Sequence, residues 1–398
     1  MIKRLISQSQ FFYLHLLHIL NDGFNASLLL FLPFIAKDFH VNLTQVGLLG
    51  SLLYCVSVVL AIPSAYISAK FGGMKILIIA LLLYSLGYIG ISFASSYVLL
   101  FPMFLLAGIG FGVFHPIGFS LVAHSSSKSK RGAIMGNFTA IGEIGKVGIS
   151  ALVTLIIVYL GWHLTAALYG GIAFVIGIIF VVALRSNGSR FHMKETPLMA
   201  IKIRDLLKNK RFLFASFANC IDSFSNSSLF IFLPFLLLYR GADPALLGTF
   251  AAAYFIGTFA GKSVLGRLAD KVGPTKVFIG SEILMALLVI IVAMTVSIPL
   301  IVLCSIVLGI FTKGTVPVVK TMIVESVEHH GNFQKAFGVN SLFSAVFAAV
   351  SPVLLGFISD TYTIVTAFIV MAVMTLFAIV PAILFQLAKP EVRSREAR

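Results

Sequence analysis

Asp22-Gly-Phe-Asn-Ala-Ser-Leu-Leu-Leu-Phe-Leu-Pro-Phe34 returns later in the chain as Asp222-Ser-Phe-Ser-Asn-Ser-Ser-Leu-Phe-Ile-Phe-Leu-Pro-Phe235, with one residue inserted. Both stretches begin on an acidic side chain, pass through small polar residues and end in an apolar run closed by Pro-Phe. An offset near 201 residues also relates Ala65-Tyr-Ile-Ser-Ala-Lys-Phe-Gly-Gly-Met-Lys75 to Gly266-Arg-Leu-Ala-Asp-Lys-Val-Gly-Pro-Thr-Lys276, and Pro116 to Pro317. Three matches at one offset are hard to obtain by chance in apolar sequence, so the chain is built from a duplicated unit.

Outward from these stretches, each unit holds six apolar runs. A helix crossing a bilayer takes about 20 largely apolar residues. Twelve runs reach that length: 11–35, 43–69, 74–94, 97–124, 131–159, 163–184, 210–239, 243–270, 275–296, 298–325, 333–359 and 363–388. The first is too long for a signal segment and reads as a retained helix. The sequence predicts an all-α integral membrane protein of 12 transmembrane helices. An N-terminal six-helix bundle covers 1–184, a basic cytoplasmic linker 185–209, and a C-terminal six-helix bundle with a short cytoplasmic tail 210–398. An even number of helices per repeat makes the bundles parallel and pseudo-two-fold-related, which suits rocking about a midplane site.

Composition agrees. The 398 residues are 59% hydrophobic and 11% charged, whereas soluble domains carry about 25% charged residues. The net charge of +15 raises a nucleic-acid reading, and its distribution excludes one. The two termini and the loops after the even-numbered spans hold 23 of the 29 Lys and Arg; the opposite side holds Lys37 and Arg240. That asymmetry marks the basic side as cytoplasmic, in the cell's inner membrane, facing anionic lipid headgroups. Cys55, Cys220 and Cys304 lie in apolar runs without metal or disulfide spacing, so no metal site is expected.

Gly266–Lys276 resembles the signature loop of the major facilitator superfamily. Gly266 and Gly273 shape a turn there, while Asp270 and Lys271 would form a latch, Asp270 accepting from a helix N-terminus or an Arg. The first-half copy has Ala69 in place of the Asp. The first half further resembles the fosmidomycin-resistance family, in Leu20-Asn-Asp22, Phe39-His40, Gln45-Val-Gly-Leu48, Phe114-His115-Pro116, Arg131-Gly132 and the spaced Gly142, Gly145 and Gly148. This resemblance implies proton-driven export of a drug-like or phosphonate-type compound. The chain departs from that family at Ile117, where an acidic residue is usual.

Ionisable residues inside a bilayer are costly and mark pathways or pairs. In the first span His15, His18, Asp22 and Asn25 fall on one face at spacings of 3, 4 and 3, with Asp22 roughly 16 Å deep at ~1.5 Å per residue. Asp22 and His18 are candidate proton carriers; the plainer alternative is a hydrogen-bonded helix brace. The seventh span repeats the face with Asn219, Asp222 and Asn226; Asp222, the repeat partner of Asp22, is a further proton-carrier candidate, with bracing of its own half as the alternative. The fifth span holds Glu143 and Lys146, neighbours that either satisfy each other or open to a proton or substrate. The tenth holds Lys313, Pro317 and Lys320 on one face. Lys313, His115, Lys146, Asn25, Asn226 and Lys320 are the substrate-binding candidates, although snorkelling accounts for Lys320. Lys262 and Glu282, at similar depth, are expected to form a structural salt bridge. Gly142, Gly145 and Gly148 are expected to pack against Gly257 and Gly261 of the eighth span.

The sequence thus predicts a monomeric secondary transporter driven by the proton gradient without cofactor, exporting a small organic anion, zwitterion or drug-like compound by antiport. Import by symport on the same fold is the alternative. A membrane sensor is disfavoured, and an enzyme is excluded because no nucleophile–base pair, phosphate loop or metal spacing converges.

Overall fold

The computed structural model describes residues 2–125, 131–186, 203–327 and 333–388. Every described element is helical. The helices are α1 (Ile2–Asp38), α2 (Leu43–Phe71), α3 (Gly73–Ser92), α4 (Tyr97–Ser125), α5 (Arg131–Leu160), α6 (Trp162–Ser186), α7 (Ile203–Lys208), α8 (Lys210–Tyr239), α9 (Leu246–Val272), α10 (Pro274–Met294), α11 (Ile298–Val327), α12 (Phe333–Thr361), α13 (Ile364–Phe377) and α14 (Ile379–Leu387). The expected spans coincide with them within a few residues, with three differences. Helix α1 begins at Ile2, because residues 2–10 contain neither Pro nor Gly to stop it. A short helix, α7, forms within the stretch expected to be a linker. The last span breaks between α13 and α14. Pro381 has no N–H to offer the carbonyl of Phe377, one turn back, and the chain steps at Ala378.

Among the described residues, eleven helices are long and apolar enough to cross a membrane. Helix α9, of 27 residues, is long enough but more polar, since Gly248, Thr249, Tyr254, Gly257, Thr258, Gly261 and Lys262 dilute its apolar face. Large apolar side chains such as Val59, Phe93, Ile179, Leu303 and Phe377 stand exposed around the helices, a surface suited to lipid and unsuited to water.

The chain divides into two compact units, Met1–Glu195 with Leu237–Phe255, and Thr196–Leu236 with Ile256–Arg398. Leu237–Phe255 joins the first unit at α5. The Gly248 N–H donates to Thr154 Oγ1 at 2.7 Å, and Thr154 Oγ1 donates to the Ala245 carbonyl at 3.2 Å. In the first unit α1 packs on α5, α3 lies between α4 and α6, and α2 packs on α4. Its core is aromatic: Phe24, Phe31, Tyr84, Tyr88 and Tyr169 meet mostly edge to face, and the Tyr88 hydroxyl donates to the Phe24 carbonyl at 2.7 Å. The second unit centres on Phe212, Phe278, Met322, Ile323 and Phe385.

The duplication is visible in the turns. Gly72 and Gly273, 201 residues apart, adopt φ of 94° and 101°, a region that favours glycine. Their N–H groups close the preceding helices on Ser68 and Ala269. Asp270 and Lys271 stand exposed on the last turn of α9, without a hydrogen bond or ion pair among the described residues. Gly266 faces Pro317, where a Cβ would meet only ordinary contact at 3.6 Å. At the start of α2 the Asn42 side chain accepts from the Gln45 N–H, and the Gln45 side chain accepts from the Asn42 N–H. Asn42→Ala removes this capping box and should cost about 1 kcal/mol, read as a lower thermal midpoint in lipid or detergent.

Candidate functional site

Asp22 is the hub of the first unit. Helix α1 presents it on the same face as His18, one turn earlier, and α1 crosses α5 closely enough to bring Lys146 against it. Gly145 permits that approach: a Cβ there would be driven into the carbonyl of Ile19. Gly142 does the same for the side chains, since a Cβ would lie 2.6 Å from both Asp22 Oδ2 and His18 Nε2. These contacts correct the expected glycine pairing. Gly142 and Gly145 face α1, Gly148 meets nothing within 4 Å, and Gly257 and Gly261 close on the α11 carbonyls of Ile306 and Ile310. Each glycine set serves its own unit.

Four groups converge on the Asp22 carboxyl. His18 Nε2 lies 3.5 Å from Oδ2, His115 Nε2 3.3 Å from Oδ1, and Lys146 Nζ 3.3 Å from Oδ2. Asn21, which sequence reasoning passed over, donates to Oδ1 at 3.2 Å. Lys146 also donates to Glu143 Oε1 at 2.9 Å, so one ammonium bridges two carboxyls. Asp22, Glu143 and His18 are buried, while the side chains of His115 and Lys146 keep 35% and 21% of their surface. The His115 imidazole and the Lys146 ammonium are thus the partly accessible groups beside the buried Asp22 carboxyl. Aromatic walls hold the imidazoles: His18 lies against Phe114 and Phe138, and His115 stacks on Phe119. His15 lies against Phe138 near one end of this wall. Asn25, one turn beyond Asp22, makes no hydrogen bond among the described residues.

His18, Asp22 and His115 offer ligand atoms within 4.8 Å of one another, a set of types that could hold a divalent metal. The Lys146 ammonium already stands at Asp22, and a metal there would compete with it.

The second unit repeats the carboxyl but not its surroundings. Asp222 on α8 accepts from Asn226 Nδ2 at 2.6 Å and from Thr315 Oγ1 of α11 at 3.3 Å. Lys313 lies within electrostatic reach, and Glu282 of α10 meets the carboxyl directly. The expected Glu282–Lys262 salt bridge is thus replaced by an acid–acid contact, while Lys262 lies near Lys320. Lys320 is exposed, and Asn219 donates to Asn340 of α12 at 3.3 Å rather than joining Asp222. Thr315 carried no sequence signal beyond its place between Lys313 and Pro317. Glu282 carried one, an acid in an apolar run, but depth alone matched it with another residue.

The major facilitator superfamily profile matches residues 14–220 and again 215–398, once for each half. The chain belongs to the Major Facilitator Superfamily. A nitrite extrusion protein of Bacillus subtilis (strain 168) is 25% identical over 244 residues, 61% of this chain and 60% of that relative, so the chain spans less than two thirds of its length. A Haemophilus influenzae protein, named only provisionally for metabolite transport, is 25% identical over 376 residues, 88% of this chain and 89% of its own. Among solved structures, a bacterial homologue of the human lysosomal transporter Spinster, inward-facing and occupied, superposes with a TM-score of 0.77 at 14% identity, over 94% of this chain and 95% of that one. The superfamily fold is therefore the fold of this chain.

Proposed function

We propose that the chain is a proton-coupled secondary transporter of a small organic compound, working by alternating access as a monomer in the inner membrane. The observation that carries this reading is one buried carboxyl, Asp22, faced by His18, His115 and Lys146, two of which are accessible. Superfamily membership supports transport, and the Lys and Arg bias supports cytoplasmic termini. A proton on Asp22 cancels the charge that holds Lys146 and His115. Binding linkage is reciprocal, so the charge of the cargo sets the sign of coupling. A compound that brings a positive group to Asp22 competes with the proton and is exchanged for it. An anion that settles on Lys146 and His115 binds better once Asp22 is protonated, and travels with the proton.

Export of a zwitterionic or drug-like compound by antiport is the leading reading, in line with the resemblance to the fosmidomycin-resistance family. Symport of a small organic anion is the second, favoured by the accessible Lys146 ammonium. Proteoliposomes enclosing a pH-sensitive dye separate them when organic cations, zwitterions and anions are added outside. Antiport makes the lumen more alkaline as the compound enters; symport makes it more acidic. Asp22→Asn should reduce either signal to background. Transport that persists unchanged after a protonophore dissipates the gradient would falsify proton coupling.

A further inference from the structure

Glu282 on α10 is fully enclosed, and its carboxyl meets that of Asp222 on α8. The two carboxyls are not equally served. Asp222 accepts from Asn226 and Thr315 and has Lys313 in electrostatic reach. Neither oxygen of Glu282 accepts a hydrogen bond among the described residues. Helix α10 packs against α11, α13 and α14. Helices α13 and α14 carry no ionisable side chain, and α11 contributes Lys313 with Cys304, Lys320 and Glu325 elsewhere along it.

A carboxylate enclosed without donors is strongly disfavoured, and two carboxylates in contact repel. One proton between them converts repulsion into a hydrogen bond in which the neutral acid donates and the anion accepts. The supply of donors decides which is which. Asp222 has two donors and a nearby ammonium, so it takes the anionic role. We infer that Glu282 is a proton-binding residue, holding one proton in a carboxyl–carboxylate hydrogen bond to Asp222. The inference rests on the proton-coupled reading above and deepens it by placing a proton in the second unit. There the pair also answers to Lys313: a molecule that draws this ammonium away from Asp222 strengthens the hold on the proton.

The ligand is the proton, and infrared spectroscopy of the full-length protein in lipid vesicles reads it without any transported compound. At neutral pH the wild type should show the carbonyl stretch of a protonated carboxyl, shifted by deuterium exchange. Glu282→Gln should abolish this band. Asp222→Asn should keep it at a displaced frequency, because the acceptor changes while the proton stays. A band that survives Glu282→Gln, a band lost in Asp222→Asn, or no band in the wild type at neutral pH would each overturn the assignment. If the band behaves as expected but transport ignores the proton gradient, the coupling reading fails and the proton site stands. If transport is proton-driven and the wild type lacks the band, the proton site fails alone.

Discussion

Lys146→Met is expected to cost about 3–5 kcal/mol of stability, the usual penalty for removing one member of a buried ion pair. One ammonium serves two carboxyls, at 2.9 Å from Glu143 and 3.3 Å from Asp22. Both acids are buried while the Lys146 side chain keeps 21% of its surface, which places the loss in the lower part of that range. Methionine keeps most of the packing volume, so the loss reads charge rather than a cavity. Asp22 retains His18, His115 and Asn21 as neighbours, and buried Glu143 loses the ammonium that stands 2.9 Å from it. Adding Glu143→Gln to Lys146→Met should therefore recover a large share of the stability, and the double-mutant cycle should show strong coupling between the two sites. Lys320→Met, at an exposed position, should change the thermal midpoint little. A Lys146→Met protein that melts with the wild type would mean that the bridge stabilises nothing.

Much of this arrangement was legible before any coordinates. Apolar run length located the spans, because a bilayer demands length and tolerates little else. The break at Ala378 escaped it, since Pro381 sits in an otherwise apolar stretch that reads as one helix. Spacing along a single helix also served well: His18 with Asp22, and Glu143 with Lys146, are neighbours by helical geometry. The link between those two pairs was not readable, because it depends on how α1 is rotated toward α5. The clue lay in the glycines. Gly142 and Gly145 alternate with Glu143 and Lys146, so the face that admits a close neighbour also carries the charge. Small residues on the eighth span offer them an equally good fit, so the sequence alone does not choose between the two neighbours. Glu282 is ambiguous for the same reason. Depth in the membrane placed it level with Lys262, but depth fixes one coordinate and leaves rotation about the helix axis open.

That rotation is tested by the glycines of α5 themselves. Gly145→Ala should destabilise the protein by about 1–3 kcal/mol, as overpacking of a close contact does, whereas Gly148→Ala should be nearly neutral. Sequence puts both in one stripe with three-residue spacing; the structure separates them. A Cβ added at Gly145 would collide with the Ile19 carbonyl oxygen and come within 2.7 Å of the Ile19 carbonyl carbon, both backbone atoms that cannot swing aside. From the other side, a Cβ on Gly23 would lie 2.6 Å from the Gly145 carbonyl oxygen, so the crossing has no slack in either helix. Relief therefore needs α1 and α5 to part, and parting them stretches the Asp22–Lys146 contact that spans the same crossing. Gly145→Ala should thus impair proton-coupled transport as well as lower the thermal midpoint, even though glycine touches no cargo. At Gly148 an added Cβ meets nothing within 4 Å, so Gly148→Ala should leave both measurements near the wild type. Equal effects at the two positions would return the glycines to a single stripe and remove the α1–α5 crossing as the device that assembles the site.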